Sequence, residues 1–121
     1  MTSDLENLAG EDFCYLTTIG RVSGRPHTIE IWFALNGHTL YMLSGGMDRS
    51  DWVKNALRLP DVTVRIKDRA IAGKARLVKD AEENALARQL IGEKYQKSEE
   101  DLDEWLRSAL PVAVDLLLTS T

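Results

Sequence analysis

Residues 17–44 read TTIGRVSGRPHTIEIWFALNGHTLYMLS, and this stretch decides the fold. Residues alternate apolar and polar on the way into Asn36-Gly37: Ile29, Ile31, Phe33 and Leu35 fall on one face, with Thr28, Glu30, Trp32 and Ala34 on the other. Asn-Gly readily takes the positive φ angles of a type I′ hairpin. The first turn, Gly20 to Pro26, carries Arg21, Ser23, Gly24 and Arg25. Three strands joined by two tight turns predict antiparallel pairing. A cationic, glycine-bearing turn at the end of such a hairpin suits an anionic ligand.

Outward from this stretch, residues 2–11 read as a short helix or arm capped by Ser3 or Asp4, and Phe13–Ile19 as the first strand. Arg25–Leu35 and His38–Leu43 are the second and third strands. Ser44-Gly45-Gly46 is a flexible turn, after which Asp48 is the candidate N-cap of a helix over Arg49–Leu57. That helix places Trp52, Asn55, Ala56 and Leu59 near one face, and Pro60 stops it. Val62–Ile66 and Ala70–Val78 form a hairpin around Asp68, with a bulge expected at Gly73.

Asp80 and Glu83 open a second helix to Tyr95 that buries Leu86, Leu90 and Ile91. Ser98 and Asp101 open a third, with Leu102, Trp105, Leu106 and Ala109 inward and Pro111 at its end. Val112–Leu118 is a last, continuously apolar strand. The order β-β-β-α-β-β-α-α-β, with hairpin connections, predicts an α+β fold: a mainly antiparallel barrel of about six strands with flanking helices.

A chain of 121 residues makes one domain over 1–121, with a core that needs no disulfide. The net charge of −4 argues against a nucleic-acid binder, which needs a basic footprint. The basic residues nevertheless cluster between Arg21 and Lys79, and residues 80–104 are mostly acidic. Cys14 is the sole cysteine, which excludes a disulfide framework and a multi-cysteine zinc site, and its strand position suggests an inert core thiol. No apolar run reaches the length of a membrane span and no leader pattern opens the chain, so a cytoplasmic protein is expected.

Arg21, Ser23, Gly24 and Arg25 supply backbone donors and guanidinium groups for a phosphate within five residues. The start of the helix near Arg49 and Ser50 is a second anion-suited element. Read plainly, the same turn is a polar hairpin loop with solvated arginines. His27 and His38 lack acidic companions spaced for a metal set, and no serine is marked as a nucleophile. Trp32 and Trp52 are planar surfaces that suit either ring stacking or core filling. The residues by themselves give a barrel and an anionic ligand, with no reaction.

The segments G-R-x-S-G-R-P-H at 20–27, S-G-G at 44–46 and W-x-x-N-x-x-x-x-P-x-V at 52–62 resemble the deazaflavin-dependent nitroreductase family. That family lies within the split β-barrel FMN-binding, pyridoxamine 5′-phosphate oxidase-like superfamily, and the likeness covers residues 13–79. It implies an oxidoreductase that passes a hydride from reduced coenzyme F-420 to a quinone, enone or nitro-type acceptor. The implied cofactor-binding residues are Arg21, Ser23, Gly24, Arg25, His27, Thr28, Ile29, Trp32, Ser44, Gly45, Gly46, Arg49, Trp52 and Asn55. No catalytic side chain and no metal is implied, because the cofactor carries the hydride.

The chain departs from the family at Val22, where a lysine is common, and at His27, where an arginine is common. A basic residue in the Ser44–Gly46 segment is missing too, which leaves Arg25 and Arg49 as the compensating cations. Two alternatives accompany this reading. One is an FMN-dependent oxidoreductase, expected as a homodimer with the last strand and the Trp105 helix at its interface. The other is a module that carries a flavin or haem without turnover.

Overall fold

The computed structural model describes residues 7–46, 49–95 and 103–117. Seven strands form one antiparallel sheet: β1 (Cys14–Ile19), β2 (Pro26–Ile31), β3 (Ala34–Asn36), β4 (Thr39–Ser44), β5 (Asp61–Ile66), β6 (Arg69–Leu77) and β7 (Leu110–Leu116). Their order is β2-β1-β5-β6-β7-β4-β3. Among the described residues the sheet is accompanied by helices α1 (Asp51–Arg58), α2 (Ala81–Tyr95) and α3 (Asp103–Ser108). The calls on Ser3, Asp4, Asp48, Ser98, Asp101, Leu102 and Leu118 lie outside the described residues.

The two edge strands are consecutive in the chain, separated by Trp32 and Phe33 alone. Laid flat, seven strands would put their edges roughly 29 Å apart at the usual spacing. The three virtual bonds from Ile31 to Ala34 reach at most about 11 Å. The sheet must therefore curl until its edges meet at this bend, which makes a split half-barrel of the kind expected. The expected strand Arg25–Leu35 is thus two strands, and the count rises from about six to seven.

Alternation survives the bend. Ile29, Ile31, Phe33 and Leu35 join the core inside the barrel with Leu16, Leu40, Met42, Val64 and Val112. Trp32 and Ala34 join a second core outside it, where α2 and α3 cover β3, β4 and β7. Phe33 and Ala34 are both buried because each face has its own cover. Trp32 stacks on Tyr95 at 4.2 Å between ring centroids and meets the edge of Trp105 at 5.8 Å. The Tyr95 hydroxyl accepts from the Phe33 N–H at 3.1 Å and lies 2.8 Å from the Asp12 carbonyl oxygen, which pins the bend.

Several local expectations change. The β3–β4 loop is Gly37-His38, with positive φ at Gly37 alone, so it follows the II′ pattern instead of I′. Gly73 sits in unbroken ladders on both sides; a Cβ there would meet Val114 Cγ1 at 2.4 Å, so close approach explains it where a bulge was expected. Helix α1 starts two residues later than expected, with Ser50 at the N-cap position. Val53 is buried on it in place of Leu59, which is 40% exposed.

Asp80 caps α2 as expected, through the Glu83 N–H at 2.9 Å. Ala87, Ile91 and Tyr95 are its buried residues, and Leu86 and Leu90 are half-buried. Pro111 stands inside β7 opposite Leu43 and does not end a helix. Strand β7 is apolar because it lies between β6 and β4, and Trp105 packs on Trp32. Both are used within the chain, so their apolarity is no sign of a subunit interface.

Candidate functional site

Strand β1 turns Cys14, Leu16 and Thr18 toward the barrel interior, and the same parity brings in Gly20. A Cβ at Gly20 would lie 2.5 Å from Ser23 Oγ and 2.8 Å from His27 Nε2, so any larger residue here would displace those two side chains. Two backbone bonds close the turn, Gly20 N–H to Arg25 O and Gly24 N–H to Gly20 O, each 2.8 Å. Gly24 takes a φ of 72°. Ser23 Oγ accepts from the Arg25 N–H at 3.2 Å and lies 3.5 Å from His27 Nε2.

Arg21 folds back onto α1. Its backbone N–H and Nη1 both donate to Asn55 Oδ1, at 3.2 and 2.7 Å, and Nη2 faces Asp51 Oδ1 at 3.4 Å. Asn55 is buried on α1, whose Val53 and Ala56 enter the barrel core. The helix anchored in the core thereby fixes the turn.

Between them lies a cavity of about 580 Å³, lined by Thr18, Gly20, Arg21, Val22, Ser23, Pro26, His27, Thr28, Ile29, Asp51, Trp52 and Asn55. Pro26, Ile29 and Trp52 make an apolar wall suited to a planar ring. Ser23, His27 and the Arg21 guanidinium make a polar wall suited to an anionic tail. A ring bearing a phosphate fits this division of chemistry.

Of the residues expected to bind a cofactor, Arg21, Ser23, His27, Thr28, Ile29, Trp52 and Asn55 line this cavity. Gly24 and Arg25 belong to the same turn, exposed at its outer side. Arg49 is exposed just before α1. Ser44 is buried at the end of β4, its Oγ 3.0 Å from Ser50 Oγ. Gly45 and Gly46 follow; a Cβ at Gly45 would touch Trp105 at 3.4 Å, and one at Gly46 would meet Ser50 Oγ at 2.3 Å. Trp32 lies in the outer core against Tyr95 and is not part of the cavity wall.

The cavity also holds residues that sequence reasoning passed over. Gly20, Val22 and Pro26 stand within the quoted motif, and Asp51 is the acid in the first turn of α1. Thr18 carries a signal that was available: a hydroxyl at a strand position whose parity is otherwise apolar. It is 1% exposed, and its Oγ1 has no hydrogen-bond partner among the described residues.

A second cavity of about 580 Å³, bordered by Glu11, Asp12, Phe13, Tyr15, Arg65, Lys67 and Asp68, mixes acids with bases and contains none of the expected residues. Cys14 is fully buried, and burial pushes its thiol up to about 12, as an inert core cysteine requires. Among the described residues no group of three His, Cys, Asp or Glu is placed to hold a metal, and no helix is long and apolar enough to cross a membrane.

The sequence matches the F420H(2)-dependent quinone reductase family over residues 3–116. Comparison with curated proteins finds no match. Among solved structures, a conserved hypothetical protein from Mycobacterium tuberculosis is similar with a TM-score of 0.77 and 19% identity, over 98% of this chain and 82% of that one. An F420-H2 dependent reductase superposes with a TM-score of 0.67 at 22% identity, over 85% of this chain and 93% of its own. A putative pyridoxamine 5′-phosphate oxidase from Listeria innocua gives a TM-score of 0.70 at 20% identity, over 95% and 91% of the two chains. These likenesses agree with the split-barrel fold.

Proposed function

The chain belongs to the F420H(2)-dependent quinone reductase family, and on that premise, an oxidoreductase working with the deazaflavin coenzyme F-420, we propose that it reduces a quinone over a cofactor seated between the β1–β2 turn and α1. The observation that supports this reading is the two-walled cavity, apolar at Ile29 and Trp52 and polar at Arg21, Ser23 and His27 of the β1–β2 turn. Residues 1–121 act in this reading as one cofactor-binding domain.

Reduced F-420, when bound, supplies a hydride. The chain's own residues do the rest. Arg21, Ser23 and Arg25 hold the anionic tail, and Gly45, Gly46 and Arg49 lie on the approach to α1. Ile29, Thr28 and Trp52 seat the ring and keep water from one of its faces. Asp51, the carboxylate of the cavity wall, is held by Arg21, so the proton that accompanies the hydride to give a quinol comes from solvent at the open mouth.

A side-by-side fluorescence titration with F-420 and FMN, followed by steady-state oxidation of reduced F-420 with a naphthoquinone, an enone and a nitroaromatic, tests the proposal. Micromolar binding of F-420 in preference to FMN, with the quinone turned over fastest, is the expected result. Faster turnover of the nitroaromatic or enone would replace the acceptor class. Preference for FMN, with a homodimer in sedimentation, would move the chain to the oxidase-like reading. Binding without turnover of any acceptor would leave a carrier module.

A further inference from the structure

Two consecutive threonines on β1 have opposite fates. Thr17 faces outward, and its Oγ1 lies 2.7 Å from Thr28 Oγ1 across the ladder. Thr18 faces inward, is 1% exposed, and its Oγ1 has no hydrogen-bond partner among the described residues. A buried hydroxyl without a partner costs more than an ordinary hydrogen bond returns. Valine would fill the same volume and favour the strand equally, as Cys14 and Leu16 do at the preceding inward positions. The position is nevertheless polar, and Thr18 is part of the cavity wall together with Thr28 and Asn55.

We propose that the Thr18 hydroxyl is a ligand-recognition group of this cavity, bonding the polar edge of the bound cofactor ring. The proposal rests on the reading of this cavity as the cofactor site. Because Oγ1 is itself closed to solvent, the surface Thr18 gives the cavity comes from its other atoms. A turn of about 120° in χ1 carries the oxygen into the place the methyl held and the methyl into that of the Cβ hydrogen, which brings the hydroxyl to that surface. A hydroxyl donates as well as accepts, so it serves a ring carbonyl or a ring N–H. The empty protein carries the unpaired group, and binding relieves it.

This makes an unusual pair of expectations for one substitution, measured on the full chain. Thr18→Val should melt higher than the parent without cofactor, by roughly 3 °C or more. The same variant should bind F-420 roughly 3- to 10-fold more weakly, the range of one neutral hydrogen bond. Thr18→Ser, which keeps the hydroxyl, should retain parental affinity even if it melts lower. Val22→Glu is the control for the cavity itself: Val22 is 93% exposed, so the added charge should repel an anionic cofactor without unfolding the chain. Parental affinity in Val22→Glu would overturn the cavity reading and this proposal with it. Weakened Val22→Glu beside parental affinity in Thr18→Val would overturn the proposal alone. A lower melting point for Thr18→Val would also overturn it, because the hydroxyl would then have a partner in the empty protein.

Discussion

Asn55 Oδ1 accepts two hydrogen bonds from one residue, the backbone N–H and the Nη1 of Arg21, 34 positions earlier in the chain. An amide on the helix therefore sets both where the turn sits and where its guanidinium points. The acceptor is buried, and the guanidinium continues toward Asp51, so Arg21 enters the cavity wall already oriented. Orientation fixed before binding lowers the entropy lost when a ligand arrives.

Asn55→Ala should weaken both properties. Losing an acceptor for two donors in a partly buried site costs about 1–3 kcal/mol of stability, and F-420 affinity should fall with it. Asn55→Asp keeps an acceptor for Arg21, so its urea midpoint should stay near the parent's. Its extra negative charge should still weaken cofactor binding. A variant Asn55→Ala with parental affinity and parental midpoint would show that the helix does not organise the turn.

Arg25 has a different place. Its backbone closes the turn, while its side chain is exposed and makes no ion pair among the described residues. Arg25→Ala should leave the melting temperature within a degree or so, as surface changes do. It should weaken F-420 by about 1.5–3 kcal/mol, the scale of a hydrogen bond to a charged group. Equal affinity in parent and variant would move the cofactor's phosphate away from this turn.

Short-range pattern disclosed the faces of the strands but not every turn: Asn36-Gly37 was legible as a hairpin and not in its register. The parity of Ile29 through Leu35 was legible, including the split between inner and outer faces, because alternation is a property of the strand alone. The switch of sheet edge at Trp32-Phe33 was not. It depends on Tyr95, whose hydroxyl reaches Phe33 across 62 residues of sequence. The candidate site divides in the same way. The turn from Gly20 to His27 was visible as a motif, whereas the pairing of Arg21 with Asn55 and the orphaned state of Thr18 are products of packing. Trp32 shows the converse: an aromatic near a motif in sequence, drawn into the outer core by Tyr95.

Tyr95→Phe isolates the pin from the stack. The ring can stay 4.2 Å from Trp32, while the bonds to Phe33 and Asp12 vanish. A buried N–H left unpaired costs about 1–3 kcal/mol. Amide exchange should quicken most at Phe33, the hinge between the edge strands. Unchanged exchange there would mean that the bend is held by packing alone.

Arg76 holds Glu83 through paired contacts of 2.7 and 2.8 Å and Asp115 at 2.7 Å, while the Tyr41 hydroxyl donates to Glu83 at 2.7 Å. The Arg76 guanidinium, ahead of the Tyr41 bond, lowers the Glu83 carboxyl from 4.5 to about 2. A carboxyl depressed on folding stabilises above its unfolded value, and that stability is lost as pH falls toward its folded value. Acid unfolding of the parent should therefore steepen between about pH 4.5 and 2. Glu83→Gln should be less stable at neutral pH and show a flatter loss over that interval. Parallel stability curves for the two proteins would remove Glu83 from the acid transition.

Lys94 reverses the sign. Its Nζ donates to the Phe33 carbonyl at 3.0 Å and lies 3.5 Å above the Phe33 ring, and burial lowers its pKa from 10.5 to about 8. Cys14, Asp12 and Glu11 act on it in the opposite sense, more weakly. Between about pH 8 and 10.5 the unfolded chain keeps a proton on this amine that the folded chain has released, so stability contributed by this group rises with pH. Below pH 8 the charged amine is held at a cost, on the order of 1–2 kcal/mol once solvent screening is allowed for. Lys94→Met removes the charge and keeps the length of the side chain, and the single proton of the Tyr95 hydroxyl, shared between Asp12 O at 2.8 Å and Phe33 O at 3.1 Å, is then the donor near the Phe33 carbonyl. Relative to the parent, Lys94→Met should gain stability at pH 7 and lose that advantage steadily up to pH 10.5. A constant difference between the two urea curves across that range would show that Lys94 titrates alike in the folded and unfolded chain.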